Sequence, residues 1–311
     1  MAVLLVLGAG GFIGRSVTEA ARALPGLHVV GTGRGQPPPG FEVESADDWL
    51  TVDLLQDPGG LASHLRRLRP HVVVNCVGMT TGSIPQLVEA NVLATARLLS
   101  NLDASGVAAR LVHVGSAAEY GPGVGVEPVA ESACPRPVGP YGISKLGGSQ
   151  LVMAAAATGR IEATVLRVFN VLGRRMHEST LAGSVMRRLI DARARGVDEI
   201  ETGPLDSVRD FVDARDMASA IVAACTVPHL DASVVNIGSG TGRTAGELVR
   251  AIALRLGFNG AIREQASGSP RSLEVPWQVA DVSLARRVLA WEPIHDFWST
   301  VEFITGEDTQ P

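Results

Sequence analysis

The sequence predicts an α/β fold, a doubly wound parallel sheet joined to a second, smaller α/β lobe. Three observations carry this. Short β-branched or leucine-rich runs alternate with longer helical patterns through the first half, the order that builds a parallel sheet covered on both faces. A glycine-rich turn follows the first of these runs and opens a helix. The 311 residues, 46% hydrophobic and 19% charged, suffice for one large domain or two closely joined lobes with a buried core.

Strands are predicted at Val3 to Leu7, His28 to Gly31, Trp49 to Asp53, His71 to Val77, Leu111 to Gly115 and Ala163 to Phe169, with helices at Gly14 to Ala23, Leu61 to Leu68, Pro85 to Leu99 and Tyr141 to Ala157. After Phe169 the rhythm changes to a polar, arginine-bearing segment, Gly173 to Arg195, and a charged loop around Pro204 to Asp210. Ser233 to Ile237 reads as a last strand returning to the sheet, followed by a helical stretch, Ala245 to Leu256. The predicted division is a nucleotide-binding lobe of residues 1–169 plus about 208–238, and a smaller lobe of about 170–207 plus 239–311. Trp277, Trp291 and Trp298 are expected to pack that smaller lobe.

A net charge of −5 without a run of lysine or arginine lacks the footprint of a nucleic-acid binder, so small-molecule partners are expected. Cys76, Cys134 and Cys225 are odd in number and dispersed, which suits a reducing compartment, and the histidines show no metal-ligand spacing. The apolar start Val3-Leu4-Leu5-Val6-Leu7 has no basic residue before it and is cut short by glycines, so it reads as a strand rather than a leader. No apolar stretch approaches twenty residues, and a cytoplasmic protein without membrane partners is expected.

The first strand runs into Gly8-Ala9-Gly10-Gly11-Phe12-Ile13-Gly14. Glycines at 8, 11 and 14 let the chain turn and approach a pyrophosphate, with the helix start at Phe12 and Ile13 facing the phosphates. A tight turn or close helix–strand packing selects the same glycines. The second strand ends in Arg34, where an acidic residue would bind the ribose hydroxyls of NAD. A guanidinium suits a 2′-phosphate instead, so NADP(H) is expected over NAD(H), which stays possible; a solvated loop arginine is the alternative. Asp53 and Leu54, after the third strand, flank the adenine or form an ordinary loop.

Tyr141 and Lys145, four residues apart, share one face of a helix. A tyrosine that transfers a proton near neutrality needs its pKa of about 10 lowered by roughly two to three units, about 3–4 kcal/mol, which a nearby lysine helps to supply. Taken alone, the spacing also fits an ordinary surface pair. Ser116 lies just past the fifth strand, at the edge where ligands of such sheets bind.

Gly8 to Gly14, Ser116-Ala117-Ala118-Glu119-Tyr120-Gly121 and Tyr141-Gly142-Ile143-Ser144-Lys145 together resemble the extended short-chain dehydrogenase/reductase family over nearly the whole chain. The resemblance implies a Rossmann-type fold with a substrate-binding lobe, Ser116 holding the reacting oxygen, Tyr141 passing its proton, Lys145 binding the cofactor ribose and tuning Tyr141, and Asn91 supporting the relay. It also implies a homodimer. Asn170, Arg209 and Arg271 match residues that grip the diphosphate of a nucleotide sugar. Met79 and Thr80 are expected to line the pocket, and His177 to touch sugar or base or to be a plain loop residue.

Three chemistries share this scaffold. Ala117 and Ala118 stand where 4,6-dehydratases carry an acid and a base, and alanine transfers no proton, so dehydration is disfavoured. Arg34 favours an NADPH-consuming 4-ketoreductase over an NAD-recycling 4-epimerase. The segments Val114 to Gly121 and Gly203 to Phe211 resemble the GDP-6-deoxy-4-keto-mannose reductases. The expected reaction is reduction of the C4 ketone of a GDP- or dTDP-linked 4-keto-6-deoxyhexose. A UDP-glucose 4-epimerase-like enzyme and, more remotely, a non-catalytic dinucleotide sensor are the alternatives.

Overall fold

The computed structural model describes residues 2–39, 41, 48–123, 125–265 and 275–306. The leading apolar run forms β1 (Ala2–Leu7), and the chain continues through α1 (Phe12–Arg22), β2 (Leu27–Gly33), β3 (Trp49–Thr51), α2 (Gly60–Leu68) and β4 (Val72–Asn75). Then come α3 (Ile84–Val88), a π-helical turn (Glu89–Leu93), α4 (Ala94–Ser105), β5 (Arg110–Ser116), α5 (Gly139–Ala157) and β6 (Ala163–Val168). With β10 (Val234–Ile237) these strands make a seven-stranded sheet in the order β10, β6, β5, β4, β1, β2, β3. Every pairing in it is parallel.

The strands are apolar along their whole length because both faces are covered. Leu4, Val6, Val74, Val112 and Leu166 face one core, while Leu5, Leu7, Val73, Leu111 and Val165 face the other beneath α2, α4 and α5. The strand order reverses between β1 and β4, which opens a crevice at their C-terminal ends, the place where such sheets bind ligands.

The remaining elements are β7 (Asn170–Leu172), α6 (Leu181–Arg195), β8 (Glu199–Glu201), β9 (Val208–Asp213), α7 (Ala214–Thr226), β11 (Gly242–Thr244), α8 (Ala245–Arg255), β12 (Ala261–Arg263), β13 (Trp277–Gln278), α9 (Ser283–Leu289) and α10 (Phe297–Thr305). Strands β11, β9 and β13 form a second sheet, with β7 also paired to β9, and β8 pairs with β12. Leu172, Leu189, Leu248, Ile252 and Val301 pack this region's own core.

Several expectations need correction. The predicted helix Pro85 to Leu99 is two helices joined by the π turn, which buries Asn91. The loop assigned to Pro204 to Asp210 ends earlier, because β9 starts at Val208 and its backbone bonds go to β7, β11 and β13. Strand β9 thus belongs to the second sheet, and the chain rejoins the large sheet at β10. Helix α7 was missed: its buried face, with Met217, Ala218, Ala220, Ile221, Val222 and Ala224, is wide, and only Arg215, Ser219 and Thr226 are exposed along a narrow polar edge. Trp291 packs in the large core, its indole N–H donating to Ser219 Oγ at 2.8 Å, and Trp298 is 56% exposed.

Candidate active site

The first cavity, about 350 Å³, opens at the strand-order reversal and is lined by Gly8, Gly10, Gly11, Thr32, Gly33, Arg34, Asp53, Leu54, Cys76, Met79 and their neighbours. Gly8 adopts φ +74°, open to glycine at little cost. A β-carbon on Gly14 would stand 2.2 Å from the Gly8 carbonyl oxygen, so the third glycine serves helix–strand packing. Phe12 and Ile13 open α1; Ile13 packs on the core. Arg34 is exposed at the cavity wall. Asp53 accepts the backbone N–H groups of Leu55 (2.8 Å) and Gln56 (3.1 Å), a local turn beside the cavity.

A second cavity, about 180 Å³, brings Ser116, Ala117, Ala118, Tyr141, Asn170, Arg209, Val275 and Gln278 together. Helix α5 delivers Tyr141 to this wall and places Lys145 one turn on, buried, with Nζ donating to the Val114 carbonyl at 2.6 Å. Burial pushes the Lys145 ammonium below the usual lysine range, while the Glu119 and Cys76 charges oppose the shift. Burial likewise drives the Cys76 thiol up to about 12, with Lys145 pulling the other way. His113, its Nδ1 3.0 Å from Asn75 Nδ2, is held neutral by burial and by Lys145.

Asn91 acts through the backbone. Its side chain accepts the Met79 N–H (2.9 Å) and donates to the Met79 carbonyl (2.9 Å) and to Ser144 Oγ (2.9 Å), tying the loop after β4 to α5. Met79 lines the first cavity. On the opposite wall Asn170 donates to the Asp210 carbonyl at 3.0 Å. Burial lowers the Arg209 guanidinium to about 10, which marks a cation held partly out of water.

Thr80 and His177 line neither cavity. Thr80 is exposed, and His177 sits before α6 with Nδ1 2.8 Å from Ser179 Oγ. Arg271 lies outside the described residues. Two contributors were missed. Gln278 donates to the carbonyls of Ala117 (2.9 Å) and Gly121 (3.1 Å) across more than 150 residues of sequence, a contact no local pattern announces. Glu119 closes a capping box with Ser116, and that S-x-x-E spacing is readable in the sequence. Among the described residues no cluster of side chains fits a metal ion, and no helix is long and apolar enough to cross a membrane.

Residues 4–238 match the model of the NAD dependent epimerase/dehydratase family. The dTDP-6-deoxy-L-talose 4-dehydrogenase (NAD(P)(+)) of Kitasatospora kifunensis is 35% identical over 98% of this chain and 96% of its own. The GDP-6-deoxy-D-mannose reductase of Pseudomonas aeruginosa is 28% identical over 59% of this chain and 62% of its own. The structure of MoeE5 in complex with UDP-glucuronic acid and NAD superposes with a TM-score of 0.83 at 28% identity, covering 98% of both chains. A Rossmann-like sheet, a glycine turn at its crevice and a family match across more than two thirds of the chain lead to one statement: the protein belongs to the NAD dependent epimerase/dehydratase family, the extended short-chain dehydrogenase/reductases.

Proposed function

We propose that the protein reduces the C4 ketone of a nucleotide-linked 4-keto-6-deoxyhexose, dTDP- or GDP-linked, with NADPH. The observation that carries this is the single cavity shared by Ser116, Tyr141, Asn170 and Arg209, with the buried Lys145 one turn along α5 from Tyr141. The Kitasatospora relative supports it, because 4-dehydrogenation and 4-keto reduction are two directions of one hydride transfer.

The first cavity suits a dinucleotide: glycines leave room for a pyrophosphate, and Arg34 offers a guanidinium where a 2′-phosphate would need one. Bound there, NADPH supplies the hydride. Gly8, Gly11, Phe12, Ile13 and Gly14 form the cradle, with Asp53 and Leu54 beside the adenine. Ser116 donates a hydrogen bond to the ketone oxygen, and Tyr141 passes its phenolic proton to that oxygen as it becomes the C4 hydroxyl. Lys145, as an ammonium, lowers the cost of the tyrosinate left behind. Asn91 holds the loop and helix that carry these groups. Arg209, Asn170 and Arg271 bind the diphosphate, so that binding energy remote from C4 fixes the sugar.

In this reading the seven-stranded sheet carries the cofactor and the region around β7, β9 and α8 carries the substrate. Val88, Leu93, Ile143 and Leu151, apolar and exposed on α3, the π turn and α5, support a homodimer through these helices. A 4-epimerase is the second reading, favoured by the family's own description.

The test is NADPH oxidation followed by absorbance with dTDP- and GDP-4-keto-6-deoxyhexoses offered separately and NADH as control. Turnover with one donor, faster with NADPH, is expected. No oxidation with either, while UDP-glucose and UDP-galactose interconvert, would replace the reductase by the epimerase.

A further inference from the structure

Glu119 is completely buried, on the 3₁₀ turn Ala117–Glu119 directly behind Ser116. Its Oε1 accepts the Ser116 backbone N–H at 2.8 Å and the Ser149 hydroxyl of α5 at 2.8 Å, and its Oε2 accepts Arg167 Nε of β6 at 2.8 Å. Arg167 is itself 3% exposed and lies over the Tyr120 ring, 4.4 Å from its centroid; the Tyr120 hydroxyl donates to Asn236 at 2.7 Å. Gly115 leaves the space the carboxylate fills, since a β-carbon there would stand 2.7 Å from Oε1.

Burying a carboxylate and a guanidinium costs several kcal/mol per ion, and apolar residues of similar volume often fold as well or better. A pair retained against that cost invites a functional reason. We propose that Glu119 is a positioning residue of the reaction site, fixing Ser116 at the cavity wall and tying it to α5, the helix that carries Tyr141 and Lys145.

Through the Ser116 N–H it locks the end of β5 and, with it, the hydroxyl facing the cavity. Through Ser149 it ties that strand end to α5, the helix of Tyr141 and Lys145. The titratable and charged groups around Lys145 are Glu119 on the 3₁₀ turn, Cys76 on the loop after β4, His113 on β5 and Tyr141 on its own helix, with Arg167 of β6 beyond Glu119. Of these, Glu119 is the one carboxylate. Without it two cations share the buried space, and removing a negative charge lowers the pKa of every neighbour.

The inference rests on the proposed roles of Ser116, Tyr141 and Lys145, so Ser116→Ala and Tyr141→Phe are measured alongside. Glu119→Gln keeps the shape and removes the charge; Glu119→Asp keeps the charge and withdraws it from the Ser116 N–H. The assay is NADPH oxidation on the 4-keto-6-deoxyhexose that supports turnover, as kcat and KM against pH, with circular dichroism and NADPH binding as checks of folding. Glu119→Gln is expected to lower kcat about tenfold to a hundredfold with KM little changed, and to move the alkaline limb of the kcat profile to lower pH. Glu119→Asp should lower kcat with that limb unmoved, and it stands as the test if the Gln variant does not fold. Wild-type kcat and an unmoved limb in a folded Glu119→Gln, or wild-type kcat in Glu119→Asp, overturn the inference. Wild-type turnover in Ser116→Ala and Tyr141→Phe instead overturns the reading of the site itself.

Discussion

Replacing Gly14 with alanine adds one methyl group where the structure has no room for it. The new β-carbon would stand 2.2 Å from the Gly8 carbonyl oxygen and 2.8 Å from Ala9 Cα, about 1.2 Å short of the ordinary limit of 3.4 Å at the first contact. Both obstacles are backbone, so no rotamer relieves the clash; α1 must move off β1. That helix packs against α7 across the large core, and the move loosens both. Overpacking of this kind costs about 1–3 kcal/mol, and a backbone clash belongs at the upper end, about 3 kcal/mol. At about 2–4 °C per kcal/mol, Tm should fall by about 6–12 °C. The same movement pulls the glycine turn out of register with the first cavity, so NADPH affinity should drop at least about tenfold, the equivalent of about 1.4 kcal/mol. Circular dichroism melting and titration of NADPH fluorescence read the two effects. A Tm within about 1 °C of wild type together with unchanged NADPH affinity would refute the packing argument and the placement of the cofactor turn.

Tyr141→Phe should lower kcat by about a hundredfold or more while NADPH binding stays near wild type, read by steady-state kinetics and fluorescence titration. Arg34→Ser should raise KM for NADPH about tenfold and leave KM for NADH unchanged, because only NADPH carries the phosphate that the guanidinium would meet; equal changes in both would remove Arg34 from the site. Asp213 caps α7 through the Arg215 N–H (2.8 Å) and grips the Arg215 guanidinium at 2.9 and 2.7 Å. Burial pushes its carboxyl up, but the Arg215 bonds outweigh burial and hold it below the usual range. A depressed folded pKa means the contribution is complete above the unfolded value of about 3.9 and is lost as pH falls through the folded one. Asp213→Ala should therefore cost about 1–3 kcal/mol at pH 7, and the gap to wild type in urea unfolding should narrow below about pH 4.

The sheet was legible because each of its strands announces itself. Val3 to Leu7 and Leu111 to Gly115 are continuous apolar runs, a pattern imposed when both faces of a parallel sheet are buried. The glycine turn, Arg34, Ser116, Tyr141 and Lys145 were legible for a different reason: each sits at a fixed offset from a strand end or along a helix, so local spacing carries its position. Helix α7 was not, because its buried face is wide and rich in alanine, leaving only the narrow edge of Arg215, Ser219 and Thr226 to mark its polar side. Asn91 stood out by its motif, but the π turn that buries it was not foreseen; one inserted residue in the hydrogen-bond ladder leaves no trace in composition.

By itself, then, the sequence determined the layered α/β architecture, the glycine turn at the first strand end and the spacing of the candidate site residues along their own elements, since these follow from periodicity and from contacts a few residues long. The tertiary structure alone decided that Ser116 and Tyr141 share a cavity with Asn170 and Arg209, that Gln278 reaches back to Ala117, and that Glu119 is neutralised by Arg167. Those pairings join residues tens to more than a hundred positions apart, and only strand pairing, helix packing and the meeting of the two sheets bring them within the few ångströms over which a hydrogen bond or a buried charge acts.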